Sequence, residues 1–226
     1  MKLNRIAGLA VFALIAAFTI GPASADFTAP ILPGTEVPLT SILDTLYGAG
    51  NYARVHDYNS VINDQLWLLT GEREVTAVAK YSRYSQDFGY LTPDNVFHVV
   101  LSGVSGNFLG SGPTGVFADP GSPTVIRLAL DPSGAPLWSS KQDDNADGDH
   151  MVTFRIIGNS GGFDDNVIGN FVVAWEDKPL RISDRDYNDL VVELNGFDQI
   201  PVPEPASILM VGAGLAGMVL ARRRRK

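Results

Sequence analysis

Cysteine is absent from all 226 residues, which excludes disulfides, thiolate metal sites, thiol nucleophiles and lipid attachment through a cysteine. Imidazole is scarce: His56, His98 and His150 are the whole supply. His98 sits inside an apolar run, where a packed ring suits better than a catalyst. His150 follows an acidic stretch that it could orient. Positive charge is also thin once the two ends are set aside. Residues 26–200 carry 10 Lys and Arg against 24 Asp and Glu, a net charge of −14. Such a field repels nucleic acid and anionic lipid and attracts divalent cations, so no nucleic-acid partner is expected.

The two ends are different in kind. Lys2 and Arg5 precede an apolar run over 6–20, then Gly21, Pro22 and the small residues Ala23-Ser24-Ala25. This order predicts a signal peptide over 1–25, forming a helix during export and cut by signal peptidase after Ala25. At the other end Val202-Pro203-Glu204-Pro205 leads into an apolar stretch over 208–221 and five terminal cations, Arg222 to Lys226. These cations resist translocation, which leaves the preceding chain outside the inner membrane. At about 1.5 Å per residue the apolar helix spans roughly 21 Å, short for a hydrocarbon core near 30 Å. Gly212, Gly214 and Gly217 spell G-x-G-x-x-G, but no chain follows to build the strand and helix that a dinucleotide site needs. They read instead as small residues of a membrane helix. The Pro-Glu-Pro, apolar and basic elements of 201–226 resemble the PEP-CTERM sorting signal of exosortase-processed Gram-negative proteins. That resemblance implies an exosortase-type transpeptidase partner, cleavage near Pro203-Glu204-Pro205, inner-membrane anchoring before it and a cell-surface or extracellular destination after it.

Between the ends, 26–200 is long enough for one domain with a sizeable core. Residues 26–38 are proline-rich and suggest an extended leader. Leu39, Ile42, Leu43 and Leu46 then recur at helical spacing, with Ser41 and Asp44 as a possible capping pair and Gly48 as a stop. Beyond this short helix the chain predicts strands. Residues 74–82 alternate Val75, Ala77, Ala79 and Tyr81 against Thr76, Val78 and Lys80. Further apolar, often β-branched runs occupy 96–101, 124–130, 151–157, 170–175 and 190–194, and 65–69 adds a candidate. Ser102-Gly103, Ser105-Gly106 and Ser111-Gly112-Pro113 read as surface loops. The expected fold is all-β, a sandwich or jelly roll with one short N-terminal helix, flanked by the signal-peptide helix and a C-terminal membrane helix.

The acids are not evenly spread. Thirteen lie between Asp143 and Asp198, against four bases. Two like charges about 5.5 Å apart cost roughly 3 kcal/mol at an effective dielectric near 20, so gathering them calls for a counter-ion or solvent. In 143–149, Asp143, Asn145 and Asp147 take positions 1, 3 and 5 of a calcium-loop start, Gly148 takes the turn position, and Asp149 follows. Phe154 at position 12 and a strand-like continuation exclude an EF-hand. A second cluster offers Asp184, Asp186, Asn188 and Asp189, with Glu176 and Asp177 upstream at a strand end. All are hard oxygen donors, so calcium is the expected cofactor; the alternative is that these residues make ordinary turns and solvated edges.

The segment 143–150, then Trp175-Glu176-Asp177, then 184–192 with its D-x-D-Y-N-D core resembles the bacterial domain of unknown function 4114. The resemblance covers about half of the central domain, strongest over 143–194, and implies a β-rich extracellular module without an established activity. Two departures stand out: Trp175 where Phe is usual, and Lys178 to Ser183 in place of a glycine-rich connection. The leading functional reading is therefore a non-enzymatic surface or matrix protein, calcium-stabilised and associated with exopolysaccharide or envelope. A calcium-dependent carbohydrate-binding module is the alternative; exposed Trp138, Trp175 and Tyr187 would favour it, and burial would make them core. A glycoside-acting enzyme using carboxylates such as Asp184 and Asp186 ranks behind both.

Overall fold

The computed structural model describes residues 37–55, 66–158 and 167–200. Residues 26–36 of the leader, both expected terminal helices and His56 lie outside these residues. Among the described residues the structure is mostly strand, in two antiparallel sheets with one short helix.

The helix α1 spans Leu39–Tyr47 and buries Leu39, Ile42, Leu43, Leu46 and Tyr47. Gly48 ends it at φ 81°, its N–H donating to the Asp44 carbonyl at 2.9 Å. The expected Ser41–Asp44 capping pair does not form. Pro38, whose ring presets φ, takes the N-cap without a side-chain bond, so Ser41 is already inside the first turn.

The first sheet orders β1 (Tyr52–Val55), β10 (Met151–Ile156), β11 (Phe171–Trp175), β12 (Leu190–Leu194), β3 (Arg73–Lys80) and β6 (Phe108–Leu109), with β7 (Thr114–Phe117) also on β3. The second orders β13 (Asp198–Gln199), β2 (Trp67–Leu69), β8 (Thr124–Pro132), β4 (Gln86–Leu91) and β5 (Phe97–Val104), with β9 (Trp138–Ser139) on β8. Trp67, Phe88, Phe117, Leu128, Leu130, Trp138, Val173, Trp175 and Val192 fill the space between the sheets. On the opposite face of the first sheet, α1 packs against Val152, Phe154, Val172, Ala174 and Val191. The order is helix, sheet, sheet. This explains why β11 is an unbroken apolar run: it is buried on both faces and needs no polar alternation.

Three expectations fail. The alternation across 74–82 does not hold one face, because the β3–β12 register shifts beside Val191 and Val192, which face Ala79 and Ala77. Val75 and Ala77 therefore join the inter-sheet core, while Ala79 and Tyr81 turn to the helix side. Lys80 pairs with Phe108, a residue packed on the inter-sheet core, and is fully buried. Ser102-Gly103 is likewise part of β5, where the Gly103 amide and the Ser102 hydroxyl donate to Asp87 Oδ1 at 2.6 and 3.1 Å. His98 is exposed rather than packed, its ring stacked 4.8 Å from Tyr90.

Candidate metal centre

The acids of 176–189 are brought together by strand ends. The β10–β11 ladder runs one residue past Trp175, with Glu176 N–H donating to the His150 carbonyl at 2.9 Å. Asp189 sits just before β12, and its Oδ2 accepts from the Asp177 amide at 2.9 Å. The intervening connection folds back through Arg185 and Tyr187, both non-glycine residues in the left-handed region at φ 57° and 53°. Tyr187 is fully buried, and its hydroxyl donates to the Asp149 carbonyl at 2.8 Å, which anchors the turn. Asn188 Nδ2 donates to Asp186 Oδ2 at 2.7 Å and to the Val37 carbonyl at 2.9 Å.

Two carboxylate groups result. In one, Glu176, Asp177 and Asp189 each place an oxygen within 4.8 Å of the others; in the second, Glu176, Asp184 and Asp186 do so. Only Asp184 of the five is not fully buried. Asp177 Oδ2 accepts from the Ser82 hydroxyl and from Gln86 Nε2 at 2.7 Å, while Glu176 Oε1 accepts a long bond, 3.4 Å, from the Lys178 amide, and the Glu176 side chain also hydrogen-bonds with Asp189 and Ser183. Glu176 Oε2, Asp177 Oδ1 and Asn188 Oδ1 are buried and meet no donor. Burial raises the pKa of Glu176, and burial with the charges of Glu176 and Asp177 raises that of Asp189 well above the ordinary range. Lys80 Nζ donates to the Ser82 carbonyl at 2.6 Å; burial lowers its pKa against the pull of Asp177 and Asp189. The donor set is all oxygen, several atoms lack partners, and the five carboxylates outnumber the lysines that act on them, Lys80 and Lys178. That is the chemistry a hard cation such as calcium fits.

The 143–149 loop is built differently. Gly148 takes a positive φ of 130°, as its turn position requires. Asn145 is occupied, however: Oδ1 accepts from the Ser139 amide at 2.8 Å and Nδ2 donates to the Ser139 carbonyl at 2.9 Å. Asp147 Oδ1 meets His150 Nε2 at 2.9 Å, and Oδ2 accepts from the Leu180 amide at 2.7 Å. Asp149 Oδ1 accepts from the Met151 amide at 3.1 Å, and Asp143 is exposed. Asp144 pairs with Arg127. These side chains join strands and loops; they do not converge with the 176–189 group.

His150 is buried, stacked 3.6 Å from Trp138. Trp138, Trp175 and Tyr187 are all core, so the sugar platform they would have formed is absent. A pocket of about 480 Å³ does open beside the cluster, walled by Tyr81, Tyr84, Arg83, Lys178, Asp184 and Asp189. Sequence reading missed Lys80, Ser82 and Gln86 as neighbours of the acids. Nothing in the sequence marks the register shift that turns Lys80 inward.

Fold and site together define a helix-capped antiparallel β protein with a carboxylate nest at the end of one sheet. Residues 201–225 match the PEP-CTERM protein-sorting motif, which implies an exported protein, anchored in the membrane by its C-terminus until an exosortase processes it. No curated protein matches the chain. Among the described residues no helix is long and apolar enough to cross a membrane.

Proposed function

We propose that the exported domain is a non-enzymatic surface or matrix module, clamped by calcium at the 176–189 cluster and associated with exopolysaccharide or the envelope. Its resemblance to domain of unknown function 4114 belongs to the same reading. The observation that carries it is the convergence of Glu176, Asp177, Asp184, Asp186 and Asp189 with buried oxygens that no protein donor reaches. An ion there ties the end of β11 to the start of β12 and to the turn between them, which is a structural role. The acids fall into two sets that share Glu176, each with its oxygens within 4.8 Å of one another, which favours holding an ion over acid–base chemistry. At calcium about 100 times its dissociation constant, linkage adds roughly 2.7 kcal/mol to the folded state. The melting temperature is then expected to rise by roughly 5–10 °C in calcium over excess chelator. An identical midpoint in both refutes the calcium clamp.

The 480 Å³ pocket, with Tyr81 and Tyr84 beside Asp184, supports carbohydrate binding as a second reading. A glycan screen with and without calcium tests it: binding that disappears on Tyr84→Ala supports it, and no binding in either condition removes it.

A further inference from the structure

We infer that the cluster holds two inequivalent cations that share Glu176: an inner ion on Glu176, Asp177 and Asp189, and an outer ion on Glu176, Asp184 and Asp186. The inference rests on the cation reading above and specifies the number and arrangement of ions. Two oxygens bound to one calcium at about 2.3–2.6 Å lie at most about 5 Å apart, so donors within 4.8 Å of one another fit one coordination sphere. The five acids form two such sets, and Glu176 is the one member common to both. Its carboxylate has two oxygens and so can bridge.

The independent sign of a ligand is the pair of unsatisfied atoms. Glu176 Oε2 and Asp177 Oδ1 are buried on side chains with no exposed surface, and an orphaned buried carboxylate oxygen is costly unless something positive meets it. Lys80 does not meet it, because among the described residues Lys80 forms no ion pair with a carboxylate within 4.0 Å. The inner set has three carboxylates against two nearby cations, the buried Lys80 and the partly buried Lys178, so it keeps a net negative charge for an ion to balance.

The two sites differ in access. Every member of the inner set is buried. The outer set includes the partly exposed Asp184, which lines the 480 Å³ pocket, so water or a ligand's oxygen can complete that ion's shell. The inner ion is therefore slow to exchange and tightly held. The outer one is weaker and replaceable, by about tenfold or more, since rigidity and ligand charge set calcium affinity over several decades.

The test uses the full-length chain in mild detergent, with calcium as the only ligand, counted by native mass spectrometry and titrated by calorimetry after removal of bound ions. The expected result is two calcium ions per chain with dissociation constants at least about tenfold apart. Asp184→Asn is expected to remove the weaker ion alone, Asp177→Asn the tighter one, and Glu176→Gln both. Circular dichroism checks each variant's fold; if Asp177→Asn does not fold, the wild-type count and Asp184→Asn still decide. A single calcium with a calcium-dependent melting temperature overturns the two-ion arrangement and leaves the clamp standing. Loss of both ions in Asp184→Asn overturns it as well. No calcium at all overturns both.

Discussion

Asp147 joins three segments through two oxygens. It holds His150 at the start of β10 and the Leu180 amide of the connection after β11, while burial, which alone would raise its pKa, is outweighed by those hydrogen bonds so that the pKa is lowered. Asp147→Ala strands both donors, at a cost of about 1–3 kcal/mol. Urea denaturation in excess chelator is expected to show that loss, and an unchanged midpoint would mean the link is idle. Tyr52 gives a separate handle on pH. Its hydroxyl donates to Asp44 Oδ1 at 2.8 Å, tying β1 to α1, and burial together with Asp44 raises its pKa to about 12 from 10.0. A raised folded-state pKa means that the stability is complete below pH 10 and is lost as pH climbs toward 12. Tyr52→Phe is expected to cost about 1 kcal/mol at neutral pH and to flatten the difference in stability between pH 10 and 12. At this scale the acids were legible as oxygen donors at ligand spacing. Their partners were not: spacing alone cannot tell Asn145, which braces Ser139, from Asp186, which faces Glu176.

Elements were legible where one rule governed them. The helix over 39–47 and the strands over 151–156, 171–175 and 190–194 follow from apolar periodicity and burial. β4 was not seen, although it lies between β8 and β5, because Asp87 and Gly89 break its apolar run. Gly89 is there for space. A Cβ at that position would lie 1.9 Å from the His98 carbonyl oxygen of the paired strand, where both β4 and β5 carry register shifts. Backbone, not a flexible side chain, is in the way, so Gly89→Ala must separate the two strands. The expected cost is about 3 kcal/mol or more, read from the midpoint of chemical unfolding, while Gly121→Ala, with open space around it and only an unfavourable φ of 74°, is expected to cost about 1 kcal/mol. Equal effects of the two would mean that conformation, and not contact with His98, decides at position 89. The register shift in β3 is the other illegible event. It moves Lys80 from the helix side to the inter-sheet side and so supplies the cluster with its buried cation.

For the whole molecule, the acidic domain and the basic tail have opposite tasks, and the sequence separates them cleanly. The described residues form the helix, sheet, sheet body, and the sorting motif over 201–225 follows immediately after β13. Before processing, the sorting signal anchors the chain in the membrane, where the apolar stretch over 208–221 is followed by the cations Arg222 to Lys226, and moving five positive charges across the bilayer is opposed. Processing by exosortase then separates the body from that anchor. The mature form is accordingly expected to begin at Asp26 and to lack Arg222 to Lys226, with the new end near Pro203-Glu204-Pro205. Intact-mass measurement of the protein released at the surface of an exosortase-bearing host decides this, and a mass that still includes the basic residues would refute tail removal. Replacing Arg222 to Arg225 by Ser removes the charge that halts transfer, so membrane-retained precursor should fall in a host lacking exosortase. Unchanged retention there would place the anchor in the apolar stretch alone.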